Sequence, residues 1–303
     1  MARSIHVFLA AISLSIAVVL HNSTVARADQ TVTVPSTADS FVRELDPSSN
    51  FGAAGLLCVA GSNSVNGVGT LRGRFDSVIR FNTASAVDAF NSTFGAGSWA
   101  VTSIQLQLSQ VGAPENTFFP RGGGQFVVSW LSNDAWSEGM GTPSAPEPGS
   151  GDIITWQQLQ TLVSSGTERT LGVFSVSPVD GTHLYSLSPD SSFVANVVVG
   201  GDVTLHLLAQ NPDLGFTFHA RDFGDLTQWP YLVLTAAPIV YGDMNCDGVV
   251  STGDIAPFVL ALLDPAAYGS AFPTCSIARA DVNQDGAGNG RDVQALVSVI
   301  LSP

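Results

Sequence analysis

Two runs near the C-terminus repeat one order of oxygen donors. In the first, Asp243, Asn245, Asp247, Ser251 and Asp254 stand at positions 1, 3, 5, 9 and 12 of a loop, with Gly248 at position 6 and the backbone carbonyl of Val249 at position 7. In the second, Asp281, Asn283, Asp285, Asn289 and Asp292 fall at the same positions, with Gly286 and Ala287 at positions 6 and 7. Carboxylate, amide, hydroxyl and carbonyl oxygens at this spacing suit calcium, a hard cation that takes about six to eight oxygens at roughly 2.3–2.6 Å. The chain must turn sharply to wrap it, and glycine at position 6 supplies the positive φ that the turn needs. One such run alone could be an Asx-rich turn. Duplication with the same position-12 aspartate predicts two calcium sites.

The donor order is that of an EF-hand loop, in which position 7 acts through its carbonyl and position 9 often through water. After Asp254 the apolar residues Ile255, Phe258, Val259, Leu262 and Leu263 recur at helical spacing, and after Asp292 so do Val293, Leu296, Val297 and Ile300. No amphipathic helix leads into either loop. Pro238–Gly242 is short and extended, and Phe272–Ala280 is too short for a normal lead-in helix. Each unit is therefore a loop plus an exit helix. This arrangement, over about residues 238–303, resembles a type I dockerin, the module that docks secreted polysaccharide-degrading proteins onto cohesin domains. The resemblance implies calcium as cofactor and a cohesin-like or other cell-surface protein domain as partner.

Loop positions 10 and 11, which help recognise cohesin in that family, are Thr252-Gly253 and Gly290-Arg291 here. They match neither each other nor a Ser-Thr pair, so calcium binding carries over residue by residue and cohesin recognition does not. The segment between the loops, through Asp264-Pro265 and Phe272-Pro273, looks inserted. Cys246 and Cys275 both fall in this module. A disulfide from loop one to the linker and two free thiols are both open readings, because spacing alone does not fix the geometry. Cys58, in an apolar context, reads as a buried thiol.

At the other end, Arg3 precedes an apolar stretch from Val7 to Leu20, and Ala26-Arg27-Ala28 offers small residues for cleavage. This predicts a secretory signal peptide over residues 1–28 and a secreted or cell-surface location. The stretch is shorter than the roughly 20 residues a spanning helix needs, and no later run is apolar enough to span. All 11 basic residues are arginine, and the formal net charge is -14. Such a balance argues against nucleic acid or an anionic membrane as partner, since both need a basic patch.

Between leader and loops, about 210 residues are enough for one large domain. Alternating runs recur at 31–34, 77–81, 103–108, 125–130, 171–176, 202–207 and 231–235, separated by Gly, Asn, Ser, Asp and Pro. One short helix is expected from Thr155, its cap, to Val163. The predicted fold class is mainly β: an antiparallel jelly roll or β-sandwich over 29–237, then a small α-helical domain over 238–303 with paired EF-hand-type calcium loops.

The middle region carries a second likeness. Thr37–Arg43 leads to Ser49-Asn50-Phe51-Gly52 and Leu57-Cys58-Val59. Then come Arg80-Phe81, the alternating Val101–Leu108, Asp134–Gly139 before Ile154-Thr155-Trp156, and Phe218–Phe223 before Pro230-Tyr231-Leu232. This order resembles the DNRLRE modules, grouped with carbohydrate-binding modules on secreted bacterial proteins, although the literal six-letter signature is absent. The resemblance implies a polysaccharide ligand. Aromatic rings bind sugars by stacking an exposed flat face. Trp99 and Trp229, in turn-rich segments, are the candidate platforms, whereas Trp136 and Trp156 read as packing residues.

No catalytic residue is assigned. Glycoside hydrolysis usually needs two flanking carboxylates, and Glu44, Glu115, Glu138, Glu147 and Glu168 are scattered over apparent loops. Glu138, beside Asp134 and Trp136, is the most enzyme-like. His183, His206 and His219 lack zinc spacing, and neither a Gly-x-Ser-x-Gly elbow nor a phosphate-cradling loop occurs. The leading expectation is a secreted noncatalytic protein that joins dockerin-mediated assembly to polysaccharide binding, in the setting of polysaccharide catabolism. The alternatives are a polysaccharide-degrading hydrolase or lyase with a divergent site, and a structural or adhesive surface protein.

Overall fold

The computed structural model describes residues 28–111, 119, 124–176, 179–273 and 275–302. Most of the expected leader, Glu115 and the Arg121–Gly123 run lie outside the described residues. The β domain comprises β1 (Gln30–Arg43), β2 (Ser49–Asn50), β3 (Leu56–Ala60), β4 (Phe75–Asn82), α1 (Ala84–Phe94), β5 (Trp99–Gln110), β6 (Gln125–Leu131), β7 (Glu147–Pro148), α2 (Trp156–Ser165), β8 (Glu168–Ser175), β9 (Gly181–Ser186), α3 (Ser191–Val199), β10 (Asp202–Ala209), β11 (Gly215–His219) and β12 (Tyr231–Pro238). The C-terminal module adds α4 (Ile255–Leu263), α5 (Pro265–Ala271) and α6 (Asp292–Leu301). The chain is thus mainly β with a small helical module at its end.

Every pairing between these strands is antiparallel, in the order β1-β12-β5-β11-β3-β4-β10-β6-β8, with β9 beside β5. Strand β1 closes this one sheet on itself. Its first half pairs with β12 and its second with β4, across a register shift between Ser36 and Ala38. Such a bulge bends a strand, which lets β1 turn from one neighbour to the other. The sheet encloses an apolar core that includes Ile79, Phe81, Leu106, Leu205, Phe216 and Leu234. It accounts for the alternation in the sequence, since every second side chain of a strand points inward.

The far face of β4 and β10 is also covered. Helix α2 and the segment 134–154 pack Trp136, Ile154, Leu159 and Leu162 onto Ala38, Val42 and Val78. Helix α2 begins as expected, with the Thr155 hydroxyl accepting from Gln158 N at 3.2 Å. Two further helices are a correction to the sequence reading. Helix α1 buries Ala86, Phe90 and Phe94 at i, i+4 and i+8. Helix α3 buries Phe193 and Val197, is capped by Asp190, and ends at Gly200 with φ 82°. Its valines favour strand locally, but burial of one face against the sheet outweighs that preference.

The C-terminal module has its own small core, with Met244, Phe258, Ala261, Tyr268 and Leu296 buried together. Helix α5 occupies the segment that looked like an insertion, and its Tyr268 hydroxyl donates to Met244 O at 3.0 Å. No helix among the described residues is long and apolar enough to cross a membrane.

Candidate metal centre

The two loops repeat their hydrogen bonds as well as their residues. At position 1, Asp243 accepts from Asp247 N and Gly248 N, both at 3.2 Å, and Asp281 accepts from Asp285 N and Gly286 N, both at 2.9 Å. At position 3, the Asn245 and Asn283 side-chain oxygens each accept the position-5 amide. At position 5, Asp247 accepts from Val249 N and Asp285 from Ala287 N. The position-9 oxygens of Ser251 and Asn289 accept from Gly253 N and Arg291 N.

Position 12 ties each loop to its helix. Buried Asp254 accepts from Met244 N and Asn245 N on one oxygen and from Ser251 N on the other. Buried Asp292 accepts from Asn283 N and Asn289 N. These bonds curl each chain segment back on itself and hold the start of the loop against the start of its exit helix.

The expected glycines turn the loops, with φ 90° at Gly248 and 94° at Gly286. The sequence reading missed a second turn at position 4. Cys246 and Gln284 are the two non-glycine residues with positive φ among those described, at 58° and 57°. That conformation costs an L-residue roughly 1–2 kcal/mol, and its appearance at matched positions reflects a demand of the loop.

The donor set fits calcium: each loop gathers three carboxylates, an amide oxygen, a carbonyl and a hydroxyl or second amide oxygen, all hard ligands. Among the described residues no three acid, histidine or cysteine side chains cluster as a metal site. Such a cluster is not required of loops that depend on mixed donors.

Among the described residues, loop one has attachments that loop two lacks. Cys246 is joined to Cys275 by a disulfide. Arg279 donates to the Asp243 carboxylate at 3.0 Å, the two side chains being 6% and 2% exposed.

The exit helices carry matched apolar stripes on their outer faces. Ile255, Val259 and Leu263 on α4 are 45%, 45% and 80% exposed, and Val293, Val297 and Leu301 on α6 are 48%, 46% and 75% exposed. Each set stands at the same offsets from its own loop, while Phe258 and Leu296 point into the module core.

In the β domain, the aromatic candidates change. Trp99 is 8% exposed, because its indole packs on Phe90 and donates to the Asn91 side chain at 2.8 Å. Trp229 is half-buried and donates to Phe223 O at 2.9 Å. None of the exposed large apolar side chains among the described residues is aromatic.

Two buried polar clusters fasten the domain. His206 sits between carboxylates, with Nδ1 at 2.9 Å from Glu168 and Nε2 at 3.2 Å from Asp76. Burial alone would lower its pKa, but the two acids outweigh burial and raise it to about 9. Arg74 grips Asp76 through two hydrogen bonds and lies over the Trp156 ring. In the second cluster, Glu138 accepts from Asp39 N at 2.8 Å and pairs with Arg221. Asp39 accepts from Arg221 N, and burial pushes its carboxyl up to about 8.

Both His206 and Asp39 have folded-state pKa values above their unfolded ones. Each therefore adds stability that is full below the unfolded pKa, 6.5 or 3.8, and is lost as pH rises through about 9 or about 8. The melting temperature of the β domain should fall as pH rises from 6.5 to 9, most steeply below 8 where both groups contribute. Calorimetry across that range would check it, and Asp39→Asn should flatten the lower part of the curve.

Residues 241–301 match the model of the dockerin type I domain family. The C-terminal module is thus a dockerin-type module, a class that binds calcium and serves cohesin-mediated assembly. No curated protein matches the chain.

Proposed function

We propose that this is a secreted, noncatalytic, modular protein. Its C-terminal module folds around two calcium ions and docks onto a cohesin-like or other cell-surface protein domain, and its β domain binds polysaccharide. Asp243, Asn245, Asp247, Val249 O, Ser251 and Asp254 would hold one ion; Asp281, Asn283, Asp285, Ala287 O, Asn289 and Asp292 would hold the other. Bound calcium would supply positive charge among the three carboxylates that each loop carries, and its binding energy would add to folding energy. The domain limits are set at 28/29 and 237/238, with the leader removed on export.

The observation that carries docking is the pair of matched stripes. Apolar side chains left in water at equal offsets on two exit helices are the mark of a protein contact surface. They also replace the recognition that positions 10 and 11 do not supply. Titration of the full chain with a type I cohesin domain should give calcium-dependent binding. The double variant Val259→Asp, Val297→Asp should weaken it by about 100-fold, as loss of a buried hot spot does. Binding unchanged by that variant would sink the assignment.

The polysaccharide reading has its own support. A recess of about 180 Å³ is lined by Phe41, Phe51 and Phe75 together with Arg43, Arg72 and Asp46, the Arg43 guanidinium lying 2.6 Å from the Asp46 carboxylate. Burial and the neighbouring Arg43 lower the Arg72 pKa. The three rings are buried, Phe75 beneath Arg43 and Arg72, so the support lies in the guanidinium groups, which suit an acidic sugar because a guanidinium pairs with carboxylate or sulfate in a planar fork. Glycan-array binding that favours uronate or sulfated chains, and is lost in Arg43→Ala, is the expected result. The noncatalytic reading rests on Glu138, whose two oxygens are already engaged by Asp39 N and Arg221.

A further inference from the structure

We infer that the two calcium loops are unequal: contacts within the protein restrain loop one without a metal, whereas loop two depends on the metal. Arg279 is the positioning residue that sets the difference. This rests on the reading of both loops as calcium sites.

Asp243, Asp247 and Asp254 fall within twelve positions, and carboxylates drawn toward one site repel each other when no cation lies among them. In loop one a buried cation is built in, with the Arg279 guanidinium 3.0 Å from Asp243. Its Nη1 also donates to Val240 O, and its own carbonyl accepts from Gly242 N at 2.8 Å, so it is fixed from both ends. The αL residue at position 4, Cys246, is covalently held to Cys275. Tyr268 holds the carbonyl of position 2, Met244.

Among the described residues, none of these restraints has a counterpart in loop two. Among the described residues Asp281 has no cationic partner, and the αL residue at position 4, Gln284, is exposed. The residue that would correspond to Arg279 by its offset from the loop is Tyr241. Arg279 itself lies two residues before Asp281, so its anchorage on Asp243 fixes the start of loop two from loop one. The metal-free module should therefore open from its C-terminal end.

Hydrogen–deuterium exchange of the full chain, in millimolar calcium and after chelation with EGTA, tests this. Peptides over 281–301 should lose protection by about tenfold or more on chelation, while those over 243–263 change by less than about threefold. In Arg279→Gln, loop one should lose clearly more protection on chelation than in the unaltered chain, with the disulfide and Tyr268 keeping part of it, and Arg279→Lys should restore part of the loss. Equal loss of protection in both loops of the unaltered chain would overturn the inference and leave the calcium reading intact. No response in either loop, with no calcium uptake by calorimetry, would overturn the calcium reading and this inference with it.

Discussion

Asp254→Ala is expected to abolish the thermal transition of the C-terminal module, with calcium present or absent. Asp254 is fully buried and accepts three backbone N–H groups, from Met244 at 2.7 Å, Asn245 at 3.0 Å and Ser251 at 2.8 Å. Hydrogen bonds to a charged group contribute about 1.5–3 kcal/mol each, and an amide left buried and unpaired costs more than one returned to water. Ser251 and Asp254 also form a reciprocal capping box ahead of α4. A module this small has only a few kcal/mol to lose. Asp292→Ala removes two such bonds, so its metal-free effect should be smaller. Calorimetry and circular dichroism on both variants would decide the point, with the β-domain transition as internal reference. A normal module transition for Asp254→Ala in EGTA would show that this carboxylate is only a metal ligand.

His206→Leu should destabilise the β domain by about 3 kcal/mol, because breaking a buried ion pair leaves a charge without its partner. Asp76 is fully buried and would keep Arg74, while Glu168, partly exposed, would turn to solvent. Leucine fills the space, so the loss is electrostatic and not a cavity. The variant should also lose most of the decline in stability above pH 8, since Asp39 no longer contributes there. Urea denaturation at pH 6 and pH 9 would measure both effects together. Unaltered stability at pH 6 would mean that His206 is neutral in the fold and that the two acids do not charge it.

The loops were legible because a metal loop is local chemistry. All the donors of one loop lie within twelve consecutive positions, so type and spacing carry the whole message. The strands were legible for a similar reason: burial on one face writes a period of two into the chain. Helices α1 and α3 were not, since their short lengths and many Ser, Asn and Val residues give no local helical preference that stands out. Only packing on the sheet makes them helical. Trp99 illustrates the same limit. Its turn-rich neighbours, Gly95 to Ser98, suggested exposure, yet Asn91 and Phe90 from the preceding helix close over the ring.

The sequence by itself determined that two oxygen-lined loops end this chain, that each runs into a helix, and that a β domain precedes them. These are statements about neighbours along the chain. Only the tertiary structure decided that the loops differ. Arg279 and Asp243 are 36 residues apart, and Cys246 and Cys275 are 29 apart, so their contacts depend on how the linker folds back over loop one. It also decided which side of each exit helix stays in water. Ile255, Val259 and Leu263 are as apolar as Phe258, and nothing in their types says which of them face the module core. Burial is a property of the packed surface, and two loops with nearly the same donors acquire different partners when the rest of the chain is laid around them.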